Sequence, residues 1–207
     1  MKVTLIGSGN MGSGLAKQIS KAAHSLVITG RNAAKATELA RTSGATFKDK
    51  AAAEGADIVI VATAYSDAVA ALRSVGDLTG KMIVDISNPL TADYMGLTIG
   101  HGTSAAEEIQ KAFPKAKIVK AFNTVFAQVL AEGPTLTGQT VPVFFAGDDA
   151  GAKETVMSLI QSTGFSPVDA GGLKNARYLE PLGGLNVYFG YGAGRGTAIA
   201  PAWIGVK

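Results

Sequence analysis

Three glycines set the first chemistry open to this chain. Gly7-Ser8-Gly9-Asn10-Met11-Gly12 has the spacing G-x-G-x-x-G, between a β-branched run, Lys2-Val3-Thr4-Leu5-Ile6, and an amphipathic stretch carrying Leu15, Ile19 and Ala22. Gly7 permits a tight bend, Gly9 lets backbone approach a diphosphate, and Gly12 lets the following helix pack close to the strand. The free N–H groups and dipole at the helix start favour the same anion. A second group of polar residues follows the next apolar run: Thr29, Gly30, Arg31, Asn32 and, one helical turn on, Lys35. A chain that prefers NAD places Asp or Glu at this strand end to bind the ribose hydroxyls, and no carboxylate stands there. Guanidinium, hydroxyl and amide donors suit a phosphate dianion, so the pattern predicts NADP(H). The competing reading makes Arg31 and Lys35 ordinary solvated charges.

Other chemistry is excluded by what the chain lacks. It has no cysteine and two histidines, His24 and His101, among 207 residues. Thiol catalysis, disulfides and cysteine- or histidine-rich metal sites are therefore ruled out. His24 reads as structural and His101 as a loop surface residue, and no Ser, Asp and His align for acyl transfer. A net charge of +3 without a Lys/Arg run argues against nucleic acid. The first strand starts at residue 2 and no apolar run approaches membrane-spanning length, which gives the expectation of a cytoplasmic protein with no membrane partner.

The elements that must position these groups alternate. Strands are expected at Ser25–Thr29, Asp57–Thr63, Lys81–Ile86, Lys117–Phe122, Val141–Ala146 and, at an edge, Ser166–Asp169. Helices are expected at Ala33–Ser43, from about Asp67 to Val75, from Thr103 to before Pro114, at Phe126–Ala131 and at Ala152–Thr163. That order predicts an α/β fold, a doubly wound and mostly parallel sheet over residues 1–172. Ligands of such a sheet bind at the carboxyl ends of its strands, which places Ala62, Thr63, Tyr65 and Asn88 near ribose and nicotinamide. Tyr65 reads equally well as a surface aromatic. Thr91–Gly102 reads as a glycine-rich loop. The extension, 173–207, reads as a helix over Leu173–Leu185 followed by Gly190–Gly196, where glycine alternates with aromatics. It serves as a packing or dimer contact, or as a flap that sets Tyr188, Phe189, Tyr191 or Trp203 beside a second planar ligand.

GSGNMG, TGRN, VDISNPL, VKAFNT, FFAGDD and VDAGGLKNARYLE occur in an order that resembles the coenzyme F420-dependent NADP oxidoreductase family, from Met1 to about Leu182. The same elements resemble the cytosolic reductase domain of the six-transmembrane metalloreductases. The resemblance implies a Rossmann domain for NADPH whose nicotinamide passes hydride to a flavin-like ring. By it, Ser8-Gly9-Asn10-Met11 forms the phosphate loop and Gly30-Arg31 with Lys35 the 2′-phosphate site. It sets the deazaflavin near the segment after the fifth strand, Ala121 to Thr124, and near the C-terminal part. Asn123 stands where archaeal members carry histidine, and in this the chain is closer to the metalloreductase domains.

The expectation is an NADPH-dependent oxidoreductase with a small-molecule electron acceptor, a flavin or deazaflavin, acting as a homodimer. Hydride transfer between two stacked rings needs positioning more than acid–base residues. Two other classes stay open: a small carbonyl or imine reductase of the β-hydroxyacid dehydrogenase type, and a non-catalytic NADPH-binding sensor. The first normally carries a large helical domain after the Rossmann fold, for which the chain after Leu173 has little room.

Overall fold

The structure, a computed structural model, describes residues 1–205; the last two residues of the 173–207 extension lie outside the described residues. Short β-branched runs form the strands β1 (Lys2–Ile6), β2 (Ser25–Thr29), β3 (Thr46–Phe47), β4 (Ile58–Val61), β5 (Met82–Asp85) and β6 (Lys117–Ala121). Between them lie the helices α1 (Asn10–Lys21), α2 (Ala33–Thr42), α3 (Tyr65–Arg73) and α4 (Ala105–Ala112). After β6 come α5 (Ala127–Glu132), a two-residue hairpin of β7 (Thr135–Leu136) and β8 (Gln139–Thr140), then β9 (Pro142–Gly147), α6 (Ala150–Ser162) and β10 (Ser166–Asp169). One 3-10 turn at Leu173–Asn175 leads into α7 (Ala176–Val187), which continues as a π-helical turn, Tyr188–Gly192.

The main sheet has eight strands in the order β10-β9-β6-β5-β4-β1-β2-β3. From β3 to β6 every pair is parallel, and β9 then pairs antiparallel with β6 while β10 runs parallel to β9. Buried strands such as Ile58-Val59-Ile60-Val61 carry no polar residue, as expected where helices cover both faces. One face packs Leu15, Ile19, Ala36, Val129 and Val156; the other packs Ala68, Leu72, Ile109 and Ala176. This is the doubly wound α/β sheet of the sequence reading. The two-residue β3 and the β7–β8 hairpin were not expected, since runs of two residues carry no period to read.

The reversal of β9 and β10 has a consequence for the tail. The last strand ends at the amino edge of the parallel strands, opposite to the edge where ligands bind. The 12 residues of α7, at about 1.5 Å each, then climb ~18 Å back towards that edge. Its lower half is held by Ala176, in one core layer with Leu173 of the preceding turn, and by Leu179 against Phe144 and Ala146. The alternating glycines and aromatics begin inside a helical turn, Tyr188–Gly192. Gly190 allows that turn to sit against Phe126, because a Cβ there would lie 2.6 Å from Cζ of the ring.

Candidate active site

The glycine turn does what its spacing requires. Gly7 has φ of 120°, and a Cβ on it would meet the Ala62 carbonyl oxygen at 2.4 Å. A Cβ on Gly12 would lie 2.1 Å from the Gly7 carbonyl oxygen, so α1 can start this close to β1 only at glycine. A Cβ on Gly9 would meet nothing within 4 Å: the middle glycine faces open space. Gly9 is the N-cap of α1 and supplies no side-chain cap, and no acid lies in the first turn. Free amides, the positive end of a helix dipole and space beside them are what a diphosphate needs.

A cleft of about 1080 Å³ opens at the carboxyl ends of β1, β4, β5 and β6. Gly9, Asn10 and Met11 line it with Ala62, Thr63, Tyr65, Asn88 and Asn123, so these expected residues converge. Burial, and then the negative charges of Glu108, Glu180 and Asp85, push the Tyr65 phenol up, which leaves it a neutral hydroxyl group on the cleft wall. Phe122, just after β6, has φ of 60°, a left-handed conformation that costs a bulky residue about 1–3 kcal/mol. The turn it makes puts Asn123 opposite Asn88. The Asn123 amide donates to Asn88 Oδ1 (2.9 Å) and to the Leu179 carbonyl (2.7 Å), and the Asn88 amide donates to the Asn123 carbonyl (2.8 Å). Ala121, by contrast, is wholly buried in β6 and supports this turn from within the core.

Asn88 and Asn123 also fix the tail helix. A Cβ on Gly183 would meet Asn88 Nδ2 at 2.7 Å, Asn88 Oδ1 at 2.8 Å and the Asn123 carbonyl at 2.9 Å. The Asn186 amide donates to the Thr124 carbonyl at 3.1 Å. Gly183, Asn186, Val187 and Tyr191 thereby join the cleft wall. Among the described residues, Ser87 Oγ, Asn123 Oδ1 and Thr124 Oγ1 are buried without a hydrogen-bond partner, all three on segments that line the cleft. Buried orphans of this kind mark where polar ligand groups complete a site.

The second expected group is divided. Ser8 and Lys35 line a separate shallow depression of about 490 Å³ beside α2, together with Glu38, which is tied to Arg41 at 2.7 Å. Thr29 is buried at the end of β2, where its carbonyl accepts from the Gly7 amide at 2.8 Å, and Gly30 follows it. The Asn32 side chain caps α2, accepting from the Lys35 amide at 3.0 Å. Arg31 projects outward, 91% exposed, and its Nη1 lies 3.4 Å from Asp67 Oδ2 of α3. The strand end has no carboxylate of its own, but folding brings Asp67 of α3 to it. Periodicity could not show that pair, which joins residues 36 positions apart.

Two features escaped the sequence reading. Thr91–Gly102 is a built wall. Leu90 and Leu97 form a β-bridge, the Thr91 hydroxyl donates to Asp93 (2.5 Å), and the Thr98 amide donates to the Pro89 carbonyl (2.7 Å). Leu90, Thr91, Tyr94 and Met95 from it line the cleft. Of the aromatics proposed for a flap, Tyr191 lines the cleft, edge-on to Phe126 at 5.8 Å. Trp203 sits elsewhere, edge-on to Phe144 at 5.5 Å. The second feature is the wholly buried Lys120. Its ammonium donates to Asp85 Oδ2 (2.6 Å), Glu180 Oε1 (2.7 Å) and the Ser87 carbonyl (2.5 Å). Burial alone would push this lysine down, but the two carboxylates outweigh burial and hold it above its ordinary range. Glu180 accepts in addition from the amides of Ala105 and Ala106 at the start of α4. His24 lies on the far edge, between the Met1 amino group (3.3 Å) and Ser162 Oγ (2.7 Å), in keeping with a structural place.

A family model described as NADP oxidoreductase, coenzyme F420-dependent, matches residues 2–89. The crystal structure of a candidate F420-dependent NADP-reductase from Arthrobacter sp. FB24 is 30% identical. It matches over 98% of this chain and 100% of its own, with a TM-score of 0.85. The F420-dependent NADP reductase of Methanothermobacter marburgensis is 28% identical, over 88% of this chain and 89% of its own length. Metalloreductase STEAP3 of Rattus norvegicus is 31% identical over 87% of this chain; the chain spans only 36% of that protein. No helix among the described residues is long and apolar enough to cross a membrane. With a glycine turn built for a diphosphate and a relative matched end to end, the chain belongs to the coenzyme F420-dependent family of NADP oxidoreductases.

Proposed function

We propose that the protein passes hydride between NADP(H) and a flavin or deazaflavin ring. The observation that carries this reading is the continuity of the cleft. It runs from the open Gly9 amides, past Thr63, Asn88 and Asn123, to a second wall made of Leu90, Tyr94, Met95, Phe126 and Tyr191. Its volume of about 1080 Å³ lies at the top of the ~300–1,000 Å³ range usual for small-ligand sites.

The residues present suit the dinucleotide. The uncapped α1 terminus would hold the diphosphate, and Arg31 and Lys35 stand on the side of β2 where a 2′-phosphate is recognised. The unpartnered Ser87, Asn123 and Thr124 oxygens offer acceptors, and in two cases donors, to a carboxamide or ribose. NADPH, when bound, supplies the hydride from its nicotinamide. The chain's part is to align the rings and exclude water: the Asn88–Asn123 pair fixes the floor, and the loop and tail walls confine the space above it.

Purified protein mixed with NADPH and riboflavin or 5-deazariboflavin should oxidise the nicotinamide, and NADH should be much poorer. Turnover of small ketones or imines with no ring acceptor, and none with the ring acceptors, would overturn this reading.

A further inference from the structure

Among the described residues the acceptor half of the cleft carries no positive charge, and from this we propose that the acceptor is an uncharged ring compound, one without a phosphate or polycarboxylate tail. The inference rests on the proposed transfer to a ring and names the class of ring.

Among the described residues that line the cleft there is no Lys, Arg or His, and Asp93 is the single carboxylate. The cations on neighbouring elements are committed elsewhere. Lys111 pairs with Glu108 at 2.6 Å and Arg177 with Glu107 at 2.7 Å. Lys120 is sealed beneath the floor. Arg195 lies over the Phe189 ring at 5.4 Å, outside the cleft lining. The Thr91 hydroxyl, then the Met95 amide, hold the Asp93 carboxyl below the usual range, so it stays an anion on the rim.

The exposed cations lie at the other end: Arg31, beside Asp67 at 3.4 Å, and Lys35, in the depression along α2, on the side proposed for the 2′-phosphate. A phosphate monoester brings about −1.5 to −2 charges. In the acceptor half such a tail would meet Asp93, the filled diphosphate site and apolar side chains, with no cation to offset its desolvation. The walls suit the opposite kind of molecule. Leu90, Met95, Phe126, Val187 and Tyr191 give apolar and aromatic surface for a planar ring, and Tyr65 gives a neutral hydroxyl group for ring or sugar oxygens.

The test compares pairs that differ only in the phosphate: riboflavin with FMN, and 5-deazariboflavin with its 5′-phosphate, each reduced by NADPH at low and high salt. The phosphate-free member should show at least a tenfold higher kcat/KM at low salt, with the gap narrowing as salt rises. Ala92 is exposed and lines the same wall, so Ala92→Lys adds an ammonium at the rim without burying it. That variant should narrow the gap several-fold. Equal or better use of the phosphorylated member, or a gap unchanged in Ala92→Lys, would overturn the proposal. Binding of the same four compounds to the NADP+-loaded protein, read by quenching of ring fluorescence, separates the two levels. Tighter binding of the phosphate-free rings without turnover supports the charge selection and overturns only the hydride reading. Binding of none of the four overturns both.

Discussion

Lys120→Met is the sharpest perturbation the structure offers, because it removes one charge from a buried set of three. The Lys120, Asp85 and Glu180 side chains are 0%, 0% and 1% exposed. In the variant, Asp85 keeps the Ser87 amide at 2.9 Å, and Glu180 keeps the Ala105 and Ala106 amides at 2.8 and 3.2 Å. Two carboxylates then share a dry site with no cation. Breaking a buried pair in this way costs about 3–5 kcal/mol, a large part of the roughly 5–15 kcal/mol that holds a domain folded. For a chain of this size that corresponds to a fall in Tm of about 6–20 °C. The sign with pH follows from proton linkage. In the parent, the raised Lys120 contributes stability that is fully present below the unfolded lysine value and is lost only as pH rises through the folded one; at neutral pH the contribution is complete. In the variant, the buried acids can be accommodated by proton uptake, so the deficit relative to the parent should shrink as pH falls from about 8 to about 5. Chemical denaturation of both proteins across that range measures it. A variant that also carries Asp85→Asn and Glu180→Gln should recover most of the loss. A deficit under 1 kcal/mol at pH 7, or one that does not change with pH, would refute the view that the three groups act as a charged unit.

Arg31→Ala should weaken NADPH by about 1–3 kcal/mol, read as a dissociation constant, and leave NADH nearly unchanged; the exposed Arg31–Asp67 pair is too weak to move stability by more than about 1 kcal/mol. Gly9→Ala and Gly12→Ala should separate binding from folding. The first has open space around its Cβ and should fold normally but bind dinucleotide poorly, while the second meets the Gly7 carbonyl at 2.1 Å and should lose several °C in thermal denaturation. Gly183→Ala gains up to about 1 kcal/mol of helix propensity, but its Cβ would lie under 3.0 Å from Asn88 and the Asn123 carbonyl. Displacing the Asn88–Asn123 pair costs about 1–3 kcal/mol, so the variant should be less stable on balance, with a raised KM for the acceptor.

The parallel core was legible because buried strands and amphipathic helices announce themselves by composition and period. The glycine turn was legible because each glycine answers a local steric demand, met here at Gly7 and Gly12. The acceptor wall was not legible. Tyr94 and Met95 stand in a segment with no period, and their place depends on the Leu90–Leu97 bridge and the Thr91–Asp93 bond. Lys120 looked like an ordinary strand residue, because its partners are 35 and 60 positions away in sequence (120 − 85 and 180 − 120). A lysine at an otherwise apolar interior position of a central strand was the available signal, since such a strand seldom carries an unpaired charge. The Arg31–Asp67 contact was hidden for the same reason: local reading sees the strand end, not what crosses above it.

The two edges of the sheet bear on how copies of this chain can meet. A long, flat edge invites another strand to add to it, the common route to aggregation and strand exchange. Here one edge is β3, only two residues long. The other is β10, four residues that include Pro167, which has no amide to donate, and Asp169, which is tied to Lys153 at 2.8 Å. Neither offers a ladder. Strand addition at the main sheet is thereby disfavoured, and contacts between copies through side chains on a helix or tail face could be changed by single surface substitutions without disturbing the sheet.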